Sequence, residues 1–311
     1  MILVLTARRD PSSDHVLRWL HRLGAGALRV NVEEGLPELE LALGGPGTLR
    51  LPGGRVVDLS TIHACWLRRE FPDLPPDPEV SPALWPGLFE EWSAARAALM
   101  RRLGARPCLG ATRVSETERK LMDLEIAQNL GFSVPESLVC TRREALLAFL
   151  DRHPRVICKP LAEQGAARLG EALITPGRVR RLSRAEAEAL PERLWPTLVQ
   201  EELERSLDLR IFVLDERMWA VAIPPGPDPD SRVRAADRRL PFTLSVDTQA
   251  RVATFMAEKG LDTASIDLLR QPDGREVFLE ANPAGQFHFV GQTLGLPLER
   301  YVAEALLRRA A

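Results

Sequence analysis

Two carboxylates and an amide follow a pattern that could place them on one face of a hairpin. Asp267 lies in the strand-like run SIDLLR, and Glu280 and Asn282 lie in the run EVFLEAN. The intervening Asp273-Gly274 pair is the best short-range hairpin signal in the chain. A symmetric turn there sets Asp267 directly opposite Glu280, with β-carbons roughly 5 Å apart, and puts Asn282 on the same face. Oxygen ligands of this kind suit Mg²⁺, which typically adds waters and substrate phosphates.

A solvated polar strand end is the competing interpretation of this pattern. The residues beside the carboxylates are apolar (Ile266, Leu268, Phe278 and Leu279), which indicates a half-buried hairpin. Like charges that face each other on such a sheet are destabilising unless a positive group lies between them. A bulged turn would break the register and would favour the solvated alternative.

Lysine is rare in this chain, which makes its positions informative. Of 41 basic residues 38 are arginine, and the three lysines are Lys120, Lys159 and Lys259. A lysine that persists against this bias is a candidate for a site that needs a compact ammonium rather than a planar guanidinium, although chance retention on a solvated face is the alternative. Lys159 ends the apolar strand VIC, at a strand end where ligands gather in α/β proteins. Lys259, in FMAEKG, is interpreted as a solvated helix residue.

A short connector joins two strands in LVQEELERSLDLRIFV, residues 198–213. Its backbone N–H and C=O groups could bind a flat heterocycle. Asp208 and Arg210 share one face of the strand that follows. Arg210 could hold a phosphate or a carboxylate through two parallel hydrogen bonds, whereas an exposed ion pair along the strand is the alternative.

Other reactive side chains give weaker signals. The five histidines lie far apart in the sequence and are expected to be structural or exposed, and no nucleophile signature supports a hydrolytic triad. The four cysteines are scattered, which argues against a disulfide framework and a structural metal site. Trp66, Arg68 and Arg69 in CWLRRE lie either at a cleft edge or at a strand end with solvated arginines. The usual glycine-rich phosphate-binding motifs are missing.

The size and charge of the chain limit the classes of protein to which it can belong. A chain of 311 residues, 45% hydrophobic and 27% charged, can bury a large core. The formal net charge of −2 gives no bulk electrostatic case for a nucleic-acid or membrane partner. No apolar run approaches the roughly 20 residues of a membrane span, and the N-terminus has no basic lead-in to a signal peptide. We therefore expect a cytoplasmic protein.

Three units must position the candidate residues. Alternating strands and helices predict an N-terminal α/β domain over residues 1–112, and a central unit of helices and strands over residues 113–198. Residues 199–311 are rich in strands, contain the hairpin, and end in the helical segment ERYVAEALLRR.

Three boundaries have specific signals. A Pro-rich break at 71–87 precedes the helical segment FEEWSAARAALMRRLG. The central unit opens with a helix whose Ser115 and Glu118 fit a capping box and whose end fits a C-cap at Gly131.

The order and approximate spacing of these motifs are similar to those of the ATP-grasp superfamily. The motifs are Lys120, Lys159, the LVQEEL connector, Asp208-Leu-Arg210, and Asp267 with Glu280-Ala-Asn282. Within the superfamily the chain resembles the microviridin-type peptide maturases, also called graspetide synthetases, nearly from end to end. The start ILVLTARRDPSSDHVLRWL, the strand CWLRRE and the closing motif FLEANPAGQF carry this resemblance.

The resemblance implies the ATP-grasp fold, an α/β (α+β) architecture in which an N-terminal α/β lobe precedes central and C-terminal lobes that clasp ATP. It implies an ATP-dependent carboxylate–amine or carboxylate–hydroxyl ligase. Such an enzyme activates Asp or Glu side chains of a ribosomally made precursor peptide as acyl phosphates, and joins them to Ser or Thr hydroxyls or Lys amines in ω-ester or ω-amide rings. The implied partner is a precursor peptide with a leader and a core that carries these residues. A homodimer is an assembly that the sequence leaves open.

The resemblance also implies roles for individual residues. Those implied for ATP are Lys120, Lys159, Gln200, Glu201, Leu203 and Asp208. Those implied for Mg²⁺ are Asp267, Glu280 and Asn282, and those implied for the acceptor carboxylate of the peptide are Arg210 and Arg234. The glycine-bearing loop 163–170 is implied to be a lid over the acyl phosphate.

Departures from the family pattern concern the peptide-binding side. CWLRRE lacks the proline that often follows the paired arginines, and SRVRAADRR lacks an aromatic residue near its arginine. The motif tail Gly285-Gln286-Phe287 has no physical role that the sequence discloses. Two alternatives stay open: a ligase that adds free amino acids, similar to the ribosomal-protein glutamate ligases, and a nucleotide-binding regulator without catalysis.

Overall fold

The computed structural model describes residues 1–45, 47–75, 77–110, 119–161, 167–169, 172–174, 179–226 and 238–311. Within these ranges, three larger sheets follow one another along the chain, and we call them the parallel sheet, the central sheet and the C-terminal sheet. None of the helices in these ranges has both the length and the apolar character that a membrane crossing requires.

The parallel sheet forms first, from strands that alternate with helices. The elements are β1 (Ile2–Thr6), α1 (Pro11–Arg22), β2 (Ala27–Asn31), β3 (Glu38–Glu40), β4 (Thr48–Arg50), β5 (Val56–Asp58), β6 (Ala64–Leu67), α2 (Trp85–Gly104) and β7 (Cys108–Leu109). The sheet has the order β2-β1-β6-β7, and β3, β4 and β5 form a small separate sheet. β1 is apolar throughout because both of its faces are covered: Ile2 and Val4 face one core, and Leu3 and Leu5 face another.

The central sheet is antiparallel, in the order β12-β9-β13-β8. This part of the chain contains α3 (Arg119–Asn129), β8 (Ser137–Arg142), α4 (Arg143–Arg152), β9 (Val156–Lys159), β10 (Ala167–Leu169), β11 (Ala172–Ile174), β12 (Arg180–Arg181), α5 (Arg184–Glu188) and β13 (Arg193–Glu201). Val199 and Cys158 pair across β13 and β9 and face a core with α4 and α5. Alternation along the strands therefore places Lys159 and Gln200 together on the opposite face.

The C-terminal sheet is also antiparallel, in the order β16-β15-β14-β17-β18. Its elements are β14 (Leu207–Leu214), β15 (Arg217–Ile223), β16 (Leu240–Phe242), α6 (Val246–Glu258), β17 (Thr263–Arg270) and β18 (Glu276–Asn282), followed by α7 (His288–Leu294) and α8 (Leu298–Ala310). One face packs on α3 and α6 through residues such as Ile211 and Ile266. Helices α7 and α8 return to the parallel sheet, where Val302 and Leu306 share the core of Ile2.

The hairpin of β17 and β18 pairs the two predicted carboxylates. Asp267 lies opposite Glu280, and Ser265 lies opposite Asn282, so the predicted register of the ligand positions is confirmed. Arg210 on β14 is the partner of Asp267 on its other side. The face that carries these residues is the one that α3 and α6 leave uncovered.

The turn and strand pairing that produce this register differ from the predicted symmetric turn. Arg270 pairs with Glu276, so residues 271–275 form the turn, and the pairing beside it is displaced by one residue. Leu279 is the extra residue of a bulge, which displaces the pairing back again. The connection from Arg270 to its partner is one residue shorter than a symmetric turn would give. This alone would have broken the register of the carboxylates, and the extra residue of the bulge restores it.

Other boundaries and one lysine also differ from the sequence predictions. Helix α2 begins at Trp85, inside the predicted Pro-rich break, because Pro86 is tolerated in a first turn. The C-cap at Gly131 is confirmed by its φ of 83°, whereas Ser115 and Glu118 lie outside the described residues. Helix α7 was not predicted; it is only one to two turns long and has no side-chain N-cap.

Lys259 is not the solvated residue that the helical pattern suggested. Its ammonium lies 2.8 Å from a carboxylate oxygen of Asp123, which is buried in α3. The pair joins α3 to the end of α6, so this lysine holds in place the helix that carries Lys120.

A tight turn follows the last strand of the hairpin. The N–H of Gly285 donates to the backbone C=O of Asn282 at 3.0 Å, and the N–H of Ala284 donates to the side-chain Oδ1 of Asn282 at 2.9 Å. The turn presses against Ser265, the strand partner of Asn282. A β-carbon added at Gly285 would lie 2.3 Å from the β-carbon of Ser265, so this position has no room for a side chain.

Gly285→Ala should destabilise the fold by about 2–3 kcal/mol, because the new methyl group forces the turn away from β17. Urea unfolding of the purified variant measures this difference. Gly87→Ala is the matched control: Gly87 lies in α2 with open space around it, so the same change should be neutral or stabilise by up to about 1 kcal/mol. Equal stability of Gly285→Ala and the native chain would contradict the close packing.

Candidate functional site

The centre of the site is a buried charge cluster on the C-terminal sheet. Asp267 is 8% exposed, lies between Arg210 and Glu280 in the strand order, and forms an ion pair with Arg210. Asn282 extends the same face by two positions along β18. The sheet register thus assembles one guanidinium, two carboxylates and one amide on one surface.

The two carboxylates share their protonation. Burial raises the pKa of Asp267 to about 7; Arg210 opposes this shift and the neighbouring Glu280 adds to it. Burial also acts to raise the pKa of Glu280, but attraction by Lys159, Arg210 and Lys120 outweighs it and leaves that pKa below its ordinary value. Near neutral pH, Asp267 is therefore the carboxylate that holds a proton.

The two lysines reach this cluster from the central part of the chain. Lys120, near the start of α3, donates from Nζ to the backbone oxygen of Pro160 at 2.7 Å. Lys159 ends β9 immediately before that proline, on the face that α4 and α5 leave uncovered. Both ammonium groups act on Glu280. The cleft between the central and C-terminal sheets therefore has lysines on one side and carboxylates on the other.

The acidic side of the cleft fits a hard divalent cation. Oδ1 of Asp267 is buried and has no hydrogen-bond partner among the described residues. Together with Glu280 and Asn282 it offers oxygen ligands only, the type that Mg²⁺ prefers. No three His, Cys, Asp or Glu side chains of the described chain converge as a metal site. A cation here would therefore need further oxygens, such as those of phosphates or water.

The opposite side of the cleft has unused groups that fit a nucleotide. Gln200 is 2% exposed; its Nε2 donates to Ser137 Oγ at 2.8 Å, whereas its Oε1 has no hydrogen-bond partner in the described ranges. The hydrogen bonds found among the described residues do not use the backbone N–H of Leu203, in the connector after β13. An acceptor and a donor of this kind match the edge of a purine base.

Two other predicted nucleotide contacts are partly engaged within the protein. The side chain of Glu201 accepts a hydrogen bond from the backbone N–H of Glu136 at 2.9 Å, and its own backbone N–H donates to the backbone oxygen of Glu136 at 3.0 Å. Asp208 shares the face of Arg210, as predicted, but it is buried, so the exposed-pair alternative is wrong. Its carboxylate lies 3.8 Å from the guanidinium of Arg205.

Two predictions from the sequence fall partly or wholly on residues that the structure does not describe. Arg234 lies within 227–237, outside the described ranges. Of the glycine-bearing loop 163–170, only the strand β10 is described. Arg234 and the loop therefore stay predictions.

Sequence reasoning missed a buried polar network beside the site. Arg68 is 2% exposed rather than solvated, and its Nε donates to Asp10 Oδ2 at 2.6 Å. Gln286 joins this network through Asp10 and Ser12. The signal that could have indicated burial is the apolar run CWL directly before Arg68, since an arginine that continues a buried strand needs an acidic partner.

Two histidines that lie far apart in the sequence meet in the structure. His15 and His288 stack with ring centroids 4.0 Å apart, and His288 contacts the buried Glu299. The pair packs between α1, α7 and α8, away from the carboxylates of the cleft, and is structural.

The similarity of this chain to known proteins lies in its three-dimensional structure. No protein-family model matches, and no curated protein matches. The crystal structure of macrocyclase MdnC bound with precursor peptide MdnA, from Microcystis aeruginosa MRC, is similar with a TM-score of 0.78 at 20% identity, over 99% of this chain and 100% of that chain.

Two further solved structures are similar over nearly the full length. The RiPP-associated ATP-grasp ligase of Chryseobacterium gregarium, in complex with ADP and a leader and core peptide, has a TM-score of 0.79 at 20% identity and covers 100% of this chain and 97% of that chain. The ATP-grasp ligase PsnB, complexed with minimal precursor, Mg and ADP, has a TM-score of 0.72 at 20% identity, over 99% and 98%. The chain therefore has the ATP-grasp fold, which confirms the fold expected from its motifs.

Mg²⁺ binding in the presence of ADP should strengthen about tenfold between pH 6 and pH 8, because the pKa of Asp267 is about 7 and the cation binds the deprotonated carboxylate. Titration calorimetry at fixed ionic strength measures this. Without the cation, Asp267 of the folded state holds a proton that the same residue of the unfolded chain has lost between about pH 4 and pH 7. The contribution of Asp267 to the free energy of unfolding should therefore fall as the pH rises through that window, and the difference from Asp267→Asn measures it.

Asp267→Asn is the control for this pH dependence. It should bind Mg²⁺ weakly, and its affinity should rise less between pH 6 and pH 8 than that of the native chain, because the terminal phosphate of ADP still titrates but the carboxylate of Asp267 is absent. An equal rise for the native chain and for Asp267→Asn would contradict the assignment of the raised pKa to a cation ligand.

Proposed function

We propose that this chain is an ATP-dependent macrocyclase of a ribosomally made precursor peptide. It joins Asp or Glu side chains of the peptide to Ser or Thr hydroxyls, or to Lys amines. The observation that carries the proposal is the convergence of Asp267, Glu280 and Asn282 with Lys120 and Lys159 across one cleft. The similar ATP-grasp structures that hold precursor peptides support the peptide as substrate.

Each side of the cleft has a separate task in this proposal. Gln200 and the backbone of Glu201 and Leu203 bind the adenine, and Asp208 lies where the ribose is expected. Lys120 and Lys159 bind phosphate oxygens. Asp267, Glu280 and Asn282 hold Mg²⁺, which would neutralise charge on the β- and γ-phosphates.

Arg210 is proposed to orient the carboxylate of the peptide. It lies beside Asp267 on the open face of the sheet, and attraction to Asp267 and Glu280 outweighs burial and raises its pKa. It is therefore always charged, and a planar guanidinium can hold a carboxylate in a fixed orientation. Arg234 is a second proposed contact of the peptide.

The reaction needs two displacements. The peptide carboxylate attacks the γ-phosphate of ATP, which forms an acyl phosphate and releases ADP. A hydroxyl or amine of the same peptide then attacks the acyl carbon and expels phosphate, and the new ester or amide closes the ring. Positioning of the two peptide groups supplies much of the rate, since each step is intramolecular within the bound complex.

The test is mass spectrometry of the peptide product. The purified chain, Mg²⁺ and ATP are incubated with a candidate precursor, chosen from a small open reading frame beside the gene that is rich in Thr, Ser, Asp and Glu. We expect product that is lighter by one water molecule for each bond formed. A mass gain would support a ligase that adds amino acids instead, and ATP binding without any mass change for a confirmed partner peptide would support a non-catalytic regulator.

Glu280→Gln should retain ADP binding but lose on the order of 100-fold or more in turnover, because a neutral amide cannot replace the anionic ligand. Glu276→Gln is the matched control. Glu276 lies on the same strand but hydrogen bonds Thr248 on α6, so the same change should leave turnover within about twofold. Full turnover by Glu280→Gln would refute the metal assignment.

A further inference from the structure

A buried ion pair beside the parallel sheet contacts the turn that follows β18, the strand that carries Glu280 and Asn282. Asp10 caps α1 and is 5% exposed, and its carboxylate accepts hydrogen bonds from Thr6 and Ser13 at 2.6 Å each. Arg68, at the end of β6, donates to both oxygens of Asp10, at 2.6 and 3.2 Å. The guanidinium also lies 4.7 Å from the ring centre of Trp66, which fixes its plane.

The same guanidinium holds two backbone carbonyls of the turn. Nη2 of Arg68 donates to the oxygen of Ala284 at 2.9 Å and to that of Gly285 at 3.3 Å. Gln286 adds a second connection, since its Nε2 donates to Asp10 at 2.9 Å and its Oε1 accepts from Ser12 Oγ at 2.7 Å. The turn is therefore tied to the parallel sheet by donors that a buried acid orients.

The turn also orients the side chain of Asn282. The N–H of Ala284 donates to Oδ1 of Asn282, and the C=O of the same residue accepts from Arg68. The guanidinium therefore holds the residue that fixes the amide of Asn282. We propose that Arg68, oriented by Asp10, is a positioning residue that aims Asn282 at the cation of the site. This inference rests on the proposed function only in taking Asn282 as a Mg²⁺ ligand.

Arg309 provides an internal control for any general loss of contact between parts of the chain. It lies on α8, donates to Asp215 at 2.7 Å and to the oxygen of Cys108 at 3.2 Å, and also pairs with Asp262. Like Arg68 it joins the parallel sheet to the C-terminal sheet. Unlike Arg68 it makes no contact with the turn after Asn282.

Arg68→Lys tests the inference, because lysine keeps the charge beside Asp10 but cannot donate from one plane to a carboxylate and two carbonyls. Calorimetry with ADP should show Mg²⁺ affinity reduced by about tenfold or more, with ADP affinity in the absence of Mg²⁺ unchanged. Arg309→Lys should lower the midpoint of thermal unfolding and leave Mg²⁺ affinity unchanged. Native Mg²⁺ affinity in Arg68→Lys, or equal losses in both variants, would overturn the proposal.

Two further variants separate positioning from stability. Gln286→Met conserves volume and removes the bonds to Asp10 and Ser12 only; it should weaken Mg²⁺ in the same direction by a smaller factor, and it serves where Arg68→Lys does not fold. In an Asn282→Ala background, neither change should weaken Mg²⁺ further, because the positioned ligand is gone. Additive losses in that background would overturn the positioning role.

These measurements use ADP and Mg²⁺ without peptide. A native chain that binds both but cyclises no peptide would contradict the proposed function and leave the positioning of Asn282 intact. If the native chain cyclises the peptide but Arg68→Lys binds Mg²⁺ with the native affinity, only the positioning role is contradicted.

Discussion

The opposition of Asp267 and Glu280 on a buried sheet face is the constraint on which the arrangement of the cleft depends. Two adjacent carboxylates repel each other and lose hydration together, so burial alone would drive one of them neutral. Three cations from different elements offset this cost: Arg210 from β14, Lys159 from β9 and Lys120 from α3. The charge balance of one hairpin therefore accounts for the opposed signs of charge across the cleft.

The motif tail after Asn282 connects this charge cluster to the parallel sheet. Gly285 allows the turn to contact Ser265, Gln286 joins the Asp10 network, and Phe287 stacks on a buried ring of β14 at 4.2 Å. A buried ion pair such as Asp10 with Arg68 is weak evidence for stability, since desolvation of both groups opposes their attraction. Its demonstrable effect here is geometric, because Arg68 holds two backbone carbonyls of the turn after Asn282.

Features of the structure that depend on neighbouring residues could be predicted from the sequence. The hairpin and the shared face of Asp208 and Arg210 follow from turn residues and strand alternation, and the structure confirms them. The fold that the resemblance implied is confirmed by the similar solved structures. The turn length and the bulge at Leu279 were not predictable, because no glycine or proline marks the bulge, and the register was right only because the two departures cancel. The backbone carbonyl of Ala284, which accepts from Arg68, lies 216 positions away, and no local pattern of charge or hydrophobicity specifies a contact at that separation.

The three lysines show how far a compositional argument extends. An arginine-rich chain that retains lysine at only three positions does so where the ammonium is at least partly removed from water: Lys120 and Lys159 face the cleft, and Lys259 pairs with a buried aspartate. A guanidinium at these positions would need space for a planar fork and partners for five N–H donors. The bias thus marks sites with room for a compact cation, and geometry must then separate ligand sites from structural ones. Lys259 belongs to the second kind, because its partner is a carboxylate in the helix core rather than an open cleft.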